Sequence, residues 1–300
     1  MIIKEINGKY INTNTNKEVF QISFSGGRTS GYMTKMLLDN YSDKYDFLVV
    51  FANTGIEHEK TLEFVNNCDK YFNFNTVWLE AKVNMENGKG TTFKIVNFET
   101  ASRNGEPYEA VMAKYGIPNV AYPHCTRELK MQPIQAYTRS LGMSYTKIKT
   151  AIGIRNDETR RVSKKADVNS IVYPLVDWFP VDKQDVNEWW SEQEFDLGLE
   201  DYNGNCKGCF KKSFKKIFAQ IDENPDLLKN YYQRWETDFG KVKTNEELGG
   251  RVFFRGNISA FTLQEMYEND RASDSPIKIS GVDMDSNSGC SESCEMYPTN

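Results

Sequence analysis

Apolar runs of five or six residues alternate along the first half of the chain with longer stretches whose apolar positions recur at helical spacing. Val19 to Phe24 reads as a first strand, Thr29 to Leu38 as a helix, Phe47 to Phe51 as a strand and Glu57 to Tyr71 as a second helix. Thr76 to Glu80 and Lys147 to Ile152 give further strands. Strands alternating with helices predict an α/β domain on a mostly parallel sheet, because parallel neighbours need a long crossover. From Val181 the pattern turns helical, over Asp185 to Glu192, Lys211 to Asp222 and Asp226 to Phe239, which predicts a smaller helical region packed on the sheet domain. The expected division is an α/β domain over 1–180, a helical region over 181–268 and a flexible tail over 269–300, rich in Ser, Asp and Gly.

Between Lys82 and Pro123 the pattern is irregular, broken by Gly88, Gly90, Gly105, Pro107, Gly116 and Pro118, with a short helix near Glu109 to Lys114. This stretch reads as an excursion over the site. In open parallel sheets ligands sit beyond the carboxyl ends of the strands, where Ser25, Asn53 and Arg155 all fall.

The junction of the first strand and first helix, FQISFSGGRTSGY from Phe20 to Tyr32, carries the strongest chemical signal. Gly26 and Gly27 permit backbone angles that let successive N–H groups converge on an anion, and the following helix adds its positive end. Ser25, Thr29 and Ser30 supply hydroxyls and Arg28 a charge. The loop is shorter than G-x-x-x-x-G-K-[ST] and lacks the third glycine of G-x-G-x-x-G. Valine at Gly26 or Gly27 is expected to fill the phosphate space without unfolding an exposed loop.

This loop resembles the PP-loop of ATP pyrophosphatases, and further segments in the same order resemble the phosphoadenosine phosphosulfate reductase-like branch of that superfamily. They are Ala52-Asn53-Thr54-Gly55 leading to Glu59-Lys60-Thr61, Cys125-Thr126-Arg127-Glu128-Leu129-Lys130 with Pro133, Gly153 to Arg161, Tyr173 to Trp178 and Cys206-Lys207-Gly208-Cys209. The resemblance spans roughly residues 18 to 216. It implies an adenine nucleotide alpha hydrolase-like fold, ATP held by Ser23, Ser25, Gly26, Gly27, Arg28, Thr29, Ser30, Asn53, Thr54, Gly55, Arg155 and Arg161, and catalytic roles for Arg28, Ser30 and Arg155. It also implies cleavage between the α and β phosphates, adenylation of a substrate, and magnesium at the phosphates. Arg28 and Thr29 stand where SGGKDS loops carry Lys and Asp, which leaves the magnesium ligand unassigned.

Cys125, Cys206 and Cys209 form a second implied centre. Three cysteines suit a 4Fe-4S cluster with one iron open to sulfide, whereas His124 with the three would close a tetrahedral zinc site; unmetallated thiols are the third option. Cys290 and Cys294 sit in the tail, outside the Glu-Cys-Gly-Leu/Ile-His setting of sulfonucleotide reductases. Cys68, at the end of an amphipathic helix, reads as core. Around the CxxC motif, Phe210, Phe214 and Phe218 read as core, and Lys207, Lys211, Lys212, Lys215 and Lys216 as a solvated face or, with Arg127 and Lys130, a contact for nucleic-acid phosphates. Lys164 and Lys165 read as solvated.

Composition narrows the picture. Three hundred residues with 39% hydrophobic content bury one large core or a core and a smaller one. No apolar run suits a membrane span or a leader, and six cysteines in this length are no disulfide scaffold, so a cytoplasmic enzyme is expected. A net charge of -5 argues against strong nonspecific nucleic-acid binding. The resulting expectation is an ATP-dependent adenylating enzyme supporting sulfur transfer to a nucleic acid or small acceptor, from an unidentified sulfur donor, with a homodimer as its assembly. The alternatives are a sulfonucleotide reductase using a C-terminal cysteine and a noncatalytic nucleotide-binding module with structural zinc.

Overall fold

A computed structural model describes residues 1–244, 250–273 and 275–277. Its strands, β1 (Ile3–Ile6), β2 (Lys9–Asn12), β3 (Lys17–Ser23), β4 (Tyr45–Asn53), β5 (Val77–Val83), β6 (Thr91–Val96), β7 (Thr150–Ile152) and β8 (Ile171–Val172), join in one sheet. The parallel centre runs in the order β5-β4-β3-β7-β8. The chain moves outward from β3 through β4 to β5 on one side and through β7 to β8 on the other. The crevice at this reversal opens beyond the carboxyl ends of β3 and β7, where such sheets bind ligands.

Two antiparallel additions were not legible as strands. The β1–β2 hairpin turns at Asn7-Gly8, with φ of 50° and 76°, and pairs with the start of β3. Asn-Gly is a strong hairpin signal, since both positions need positive φ. The stretch expected to be irregular contains β6, which closes the far edge against β5.

Both faces of the central strands are buried, and side-chain alternation divides them. Phe20, Val49 and Phe51 join one core with Met33, Leu37, Leu62 and Phe64. Val19, Leu48, Val50 and Ala52 join another with Ile134 and Met143. Helices α1 (Arg28–Tyr41) and α2 (Glu59–Phe72) therefore cover one face. After α3 (Glu106–Tyr115), a helical run covers the other: α4 (His124–Thr126), a π-helical stretch (Arg127–Met131) and α5 (Gln132–Ser140). Cys68 lies in the first core as expected, its thiol pushed well above its ordinary pKa by burial and by Asp69.

Beyond β8 follow α6 (Pro174–Asp177) and α7 (Lys183–Ser191). The division expected at residue 181 does not follow the cores, because Val186 and Trp190 of α7 belong to the first core and Leu197 packs on it. The helical region proper, α8 (Phe214–Glu223), a π-helical stretch (Leu228–Gln233), α9 (Arg234–Phe239) and α10 (Ala260–Arg271), shares its core with α3 and with Ile56 just beyond β4. The tail expected from 269 overlaps the end of α10, and Cys290 and Cys294 lie outside the described residues. Among the described residues no helix is long and apolar enough to cross a membrane.

Phe210 and Phe218 are buried as their spacing implies, but the lysine face is only partly solvated. Lys212 and Lys216 are buried, and Lys212 Nζ donates to the Tyr202 carbonyl at 2.8 Å. Their aliphatic stems pack in the core while the amine finds acceptors at its edge.

Trp190 links α7 to the sheet domain. Its ring packs on Phe64 with centroids 4.7 Å apart, and its Nε1–H donates to the Arg28 carbonyl at 2.9 Å. Trp190→Ala is expected to cost about 3–5 kcal/mol in urea denaturation. Trp190→Phe should recover much of that loss while leaving the indole hydrogen bond unmade.

Candidate nucleotide and cysteine site

The SGGRTS loop closes on itself before α1 begins. Ser25 N–H donates to Ser30 Oγ at 3.2 Å, the two hydroxyls lie 2.8 Å apart, and Ser30 Oγ–H reaches the Gly27 carbonyl at 3.1 Å. Gly26 has φ +81° and a Cβ there would stand 2.8 Å from Thr61 Cγ2, so only glycine fits. That overturns the expectation of an exposed, tolerant position, since Gly26 is buried under α2. Gly27 caps α1 with ordinary extended backbone, φ -106° and ψ 163°, and no side chain caps the first turn. The first turn also carries no acidic residue, so its N–H groups keep their capacity for an anion.

Gly153, at the end of β7, lets the neighbouring backbone approach: a Cβ there would lie 3.1 Å from Ser30 Cα. This contact brings Arg155 over the loop, where Nη1 donates to Thr29 Oγ1 at 3.0 Å. Arg155 is buried and faces Asp157 through Nε at 3.0 Å and Nη2 at 3.2 Å, with Glu158 at 3.5 Å. Arg161 is buried beside it, its Nη1 bonded to Glu158 Oε1 at 2.5 Å. Arg160, Lys164 and Lys165 are exposed.

Arg28 leans away from the loop onto Asp196, with Nε 2.7 Å from Oδ1 and a second bond from Nη2 to Oδ2. Burial alone would raise the Asp196 carboxyl, but the Arg28 hydrogen bond and the backbone N–H groups of Leu197 and Gly198 outweigh it and hold the pKa below its ordinary value. Between these groups opens a cleft lined by Gly27, Arg28, Thr29, Arg155, Lys183 and Leu199. Asp196 and Lys183 were not expected from sequence, because their segment meets the loop only through α7.

The end of β4 is built differently from expectation. Asn53 is fully buried, and its amide is committed to Glu80 Oε1 at 2.8 Å and the Ser102 carbonyl at 2.9 Å, while its Oδ1 accepts from Gly55 N–H. It shapes the turn. Gly55 takes φ +82° with Pro107 close above it. Thr54 Oγ1 lies 2.8 Å from Glu57 Oε2, which also accepts from Thr54 N–H at 2.9 Å. Glu57 was missed, although an acid between Thr-Gly and the next helix is visible in the sequence; it is buried, and its other oxygen has no hydrogen-bond partner among the described residues. Ser23 is the last residue of β3, level with Val50 and Ile152.

Thr54 also ties this end of the sheet to the cysteines, with Oγ1 3.5 Å from Cys206 Sγ. Lys207 N–H donates to the Ile56 carbonyl at 2.9 Å, and Gly208 turns the motif at φ +59°, where a Cβ would strike Tyr232. Cys125 lies in α4. Tyr108 and Tyr232 are buried near all three cysteines; burial pushes both phenols well above their ordinary pKa, and Cys125, Cys206 and Cys209 add to the shift. The same burial lowers Lys207, against the opposing influence of Glu57, Glu59 and Cys206.

His124 points elsewhere. Its Nε2 lies 3.1 Å from the Gly116 carbonyl, its ring meets Tyr115, and burial lowers its pKa with Arg127 and Arg251 as charged neighbours. Among the described residues, no three His, Cys, Asp or Glu side chains converge as a metal-holding group. Cys125, Cys206 and Cys209 nevertheless each raise the Tyr108 and Tyr232 phenols, so all three thiols lie near the same two rings, whereas His124 is engaged with the Gly116 carbonyl. A π-helical turn follows Cys125 directly, a feature that recurs at functional sites.

Residues 20–197 match the phosphoadenosine phosphosulfate reductase domain. Nin region protein ORF290 of Escherichia phage lambda is 32% identical over 283 residues, covering 92% of this chain and 94% of the phage protein. Protein MJ0973 of Methanocaldococcus jannaschii is 26% identical over 261 residues, and there the alignment spans 54% of the archaeal protein. Among solved structures, the U34-tRNA thiolase NcsA from Methanococcus maripaludis with its [4Fe-4S] cluster aligns over 88% of this chain and 76% of its own, at 13% identity and a TM-score of 0.37. The matched domain holds the SGGRTS loop, the Arg155 segment and Cys125, and the chain belongs to the phosphoadenosine phosphosulfate reductase domain family.

Proposed function

We propose that the protein binds ATP at the 25–30 loop, adenylates an acceptor and supports sulfur transfer to it through the cysteines. The observation that carries the reading is the uncapped, acid-free first turn of α1 at the sheet's crevice, with Arg155 held over it through Thr29. In the reaction an acceptor oxygen attacks the α-phosphorus, the bond to the bridging oxygen breaks, and pyrophosphate leaves. The loop N–H groups stabilise charge on the departing phosphates without reorganising, and Arg155 adds a planar fork of donors. Arg28 reaches the phosphates by exchanging Asp196 for them.

Cys125, Cys206 and Cys209 would hold an iron-sulfur cluster, which supplies an iron site open to a further sulfur ligand. The chain's own part is to place that centre at the end of β4, beside the strand that carries the phosphate loop, with Tyr108 and Tyr232 shielding it from water. A second reading follows from the matched domain's description: reduction of an adenylylated sulfate by a tail cysteine with a thioredoxin-like donor. Cys294→Ser separates the two, since only reduction requires that thiol.

Pyrophosphate release from ATP, measured with and without candidate acceptors, tests the leading reading directly. Gly27→Val should keep the melting temperature and abolish ATP binding in calorimetry, whereas Gly26→Ala should cost stability as well, by about 1–3 kcal/mol for the strained contact. An unchanged nucleotide affinity in folded Gly27→Val removes the loop from the site. Arg155→Lys keeps a charge but loses the fork, and is expected to weaken ATP about tenfold or more with little effect on adenosine. Equal losses for both ligands would leave Arg155 only its structural contacts.

The cysteine centre is separately testable. Cys206→Ser should remove iron and acid-labile sulfide from anaerobically purified protein while ATP affinity stays near wild type. His124→Ala should retain both. Loss of metal in His124→Ala, with zinc in the wild type, would replace the cluster by a closed zinc site.

A further inference from the structure

The turn leading into Cys125 exposes an aromatic ring on a rigid, positively charged support that neither the nucleotide chemistry nor the core uses. Asn119 builds the turn: its Oδ1 accepts from Ala121 N–H and Tyr122 N–H, each at 3.0 Å, and its amide donates to the Val252 carbonyl at 2.9 Å. The Tyr122 carbonyl then accepts from His124 N–H at 2.8 Å, so the ring's backbone is fixed on both sides. Tyr122 remains 52% exposed and its neighbour Val120 60%, an unusual outlay of apolar surface three residues before a site cysteine.

One face of Tyr122 is covered by the Arg251 guanidinium, whose carbon lies 4.2 Å from the ring centroid. Arg251 is itself pinned, donating from Nη1 to the Tyr115 carbonyl at 3.1 Å and from Nη2 to the Lys243 carbonyl at 2.8 Å. A flat cation stacked on an aromatic ring draws on the ring's electron-rich face and holds it in one plane. Tyr115 continues into an open hollow also lined by Met85, Lys89, Lys114 and Lys243, where Lys89 pairs with the exposed Glu86 at 2.6 Å and Lys114 Nζ is held by the Asn84 and Lys89 carbonyls. Arg127, with a side chain 56% exposed, pairs with the buried Glu128 carboxylate at 2.8 Å.

An exposed ring backed by a fixed guanidinium, beside a lysine-lined hollow, matches what an unpaired nucleotide asks of a surface: a face for its base and cations for its phosphates. Resting on the adenylation and sulfur-transfer reading, we infer that the acceptor is a nucleic acid, with an unpaired base stacked on Tyr122 and its backbone tracking the hollow lined by Lys89, Lys114 and Lys243. The net charge of -5 fits a local contact of this kind better than a general affinity for duplex.

Fluorescence anisotropy with labelled single strands of about 12 nucleotides, RNA and DNA of one sequence, tests this at fixed salt, with duplex as competitor. Wild type should bind a single strand, Tyr122→Ala should bind about tenfold more weakly, and Tyr122→Trp should restore binding. A preference for RNA assigns the acceptor's sugar a role, and a preference for DNA excludes one; either supports the platform. ATP binding and melting temperature of Tyr122→Ala should match wild type, which separates loss of stacking from loss of fold. Equal binding by wild type and Tyr122→Ala, or competition by duplex as strong as by single strand, overturns the inference. Wild type that releases pyrophosphate yet binds neither strand overturns it too while leaving the adenylation reading standing. Strand binding without any pyrophosphate release would do the reverse.

Discussion

The first turn of α1 presents backbone N–H groups that no side chain caps, and much of the surrounding structure follows from keeping them so. A helix start is ordinarily satisfied by a Ser, Thr, Asp or Asn side chain, worth about 1 kcal/mol. Here Gly27 occupies the cap, and Ser25 and Ser30 spend their hydroxyls on each other and on the loop backbone. The stabilisation forgone is small, and it leaves a dipole end open for charge. Holding the loop this way requires bulk beneath it, which Thr61, Phe51 and Val65 provide against Gly26. It also requires a neighbour above without a Cβ, which Gly153 supplies.

Carboxylates balance the guanidinium groups around the loop. Arg28 pairs with Asp196, and Arg155 and Arg161 share Asp157 and Glu158. Removing one carboxylate from a buried group of this kind leaves an uncompensated guanidinium, which is far more costly than never having buried the pair. The Arg28–Asp196 pair is different, because both side chains remain partly exposed and solvent screens it. It is therefore the pair that can open cheaply. On the proposed reading a phosphate at the α1 terminus would compete with Asp196 for the Arg28 fork, while the Thr29 bond holds Arg155 over the loop.

Local patterns carried most of the sheet domain into view. Runs such as Phe47 to Phe51 are apolar on both faces because helices cover both, and the SGG turn before a helix stands out without reference to distant residues. What stayed hidden depends on distance in sequence. β6 pairs only because β5 offers an edge, and Asp196 meets Arg28 only because Trp190 docks α7 on α1. Asn53 was legible as a polar residue at a strand end, but its burial against Glu80 and Ser102 depends on the excursion folding back. Lys212 and Lys216 look solvated in one dimension and are buried in three. His124 sits next to Cys125 in sequence, yet the helical turn sends the two side chains to different neighbours.

The end of β4 is where the two halves of the site are joined. Asn53 is fixed by Glu80, Gly55 accepts Gly105 N–H at its carbonyl, Thr54 meets Cys206, and the Ile56 carbonyl receives Lys207 N–H. Four consecutive residues thus anchor the excursion and the CxxC turn and lead into α2, whose Thr61 supports Gly26. A shift of the CxxC turn must move Ile56 or break its hydrogen bond, and α2 begins three residues later at Glu59. Tight packing passes such a shift on rather than absorbing it, because core contacts have little slack. A continuous set of contacts therefore runs from the CxxC turn through the end of β4 and α2 to the 25–30 loop, and a ligand favouring one arrangement of either end would bias the other by whatever difference in contacts it made.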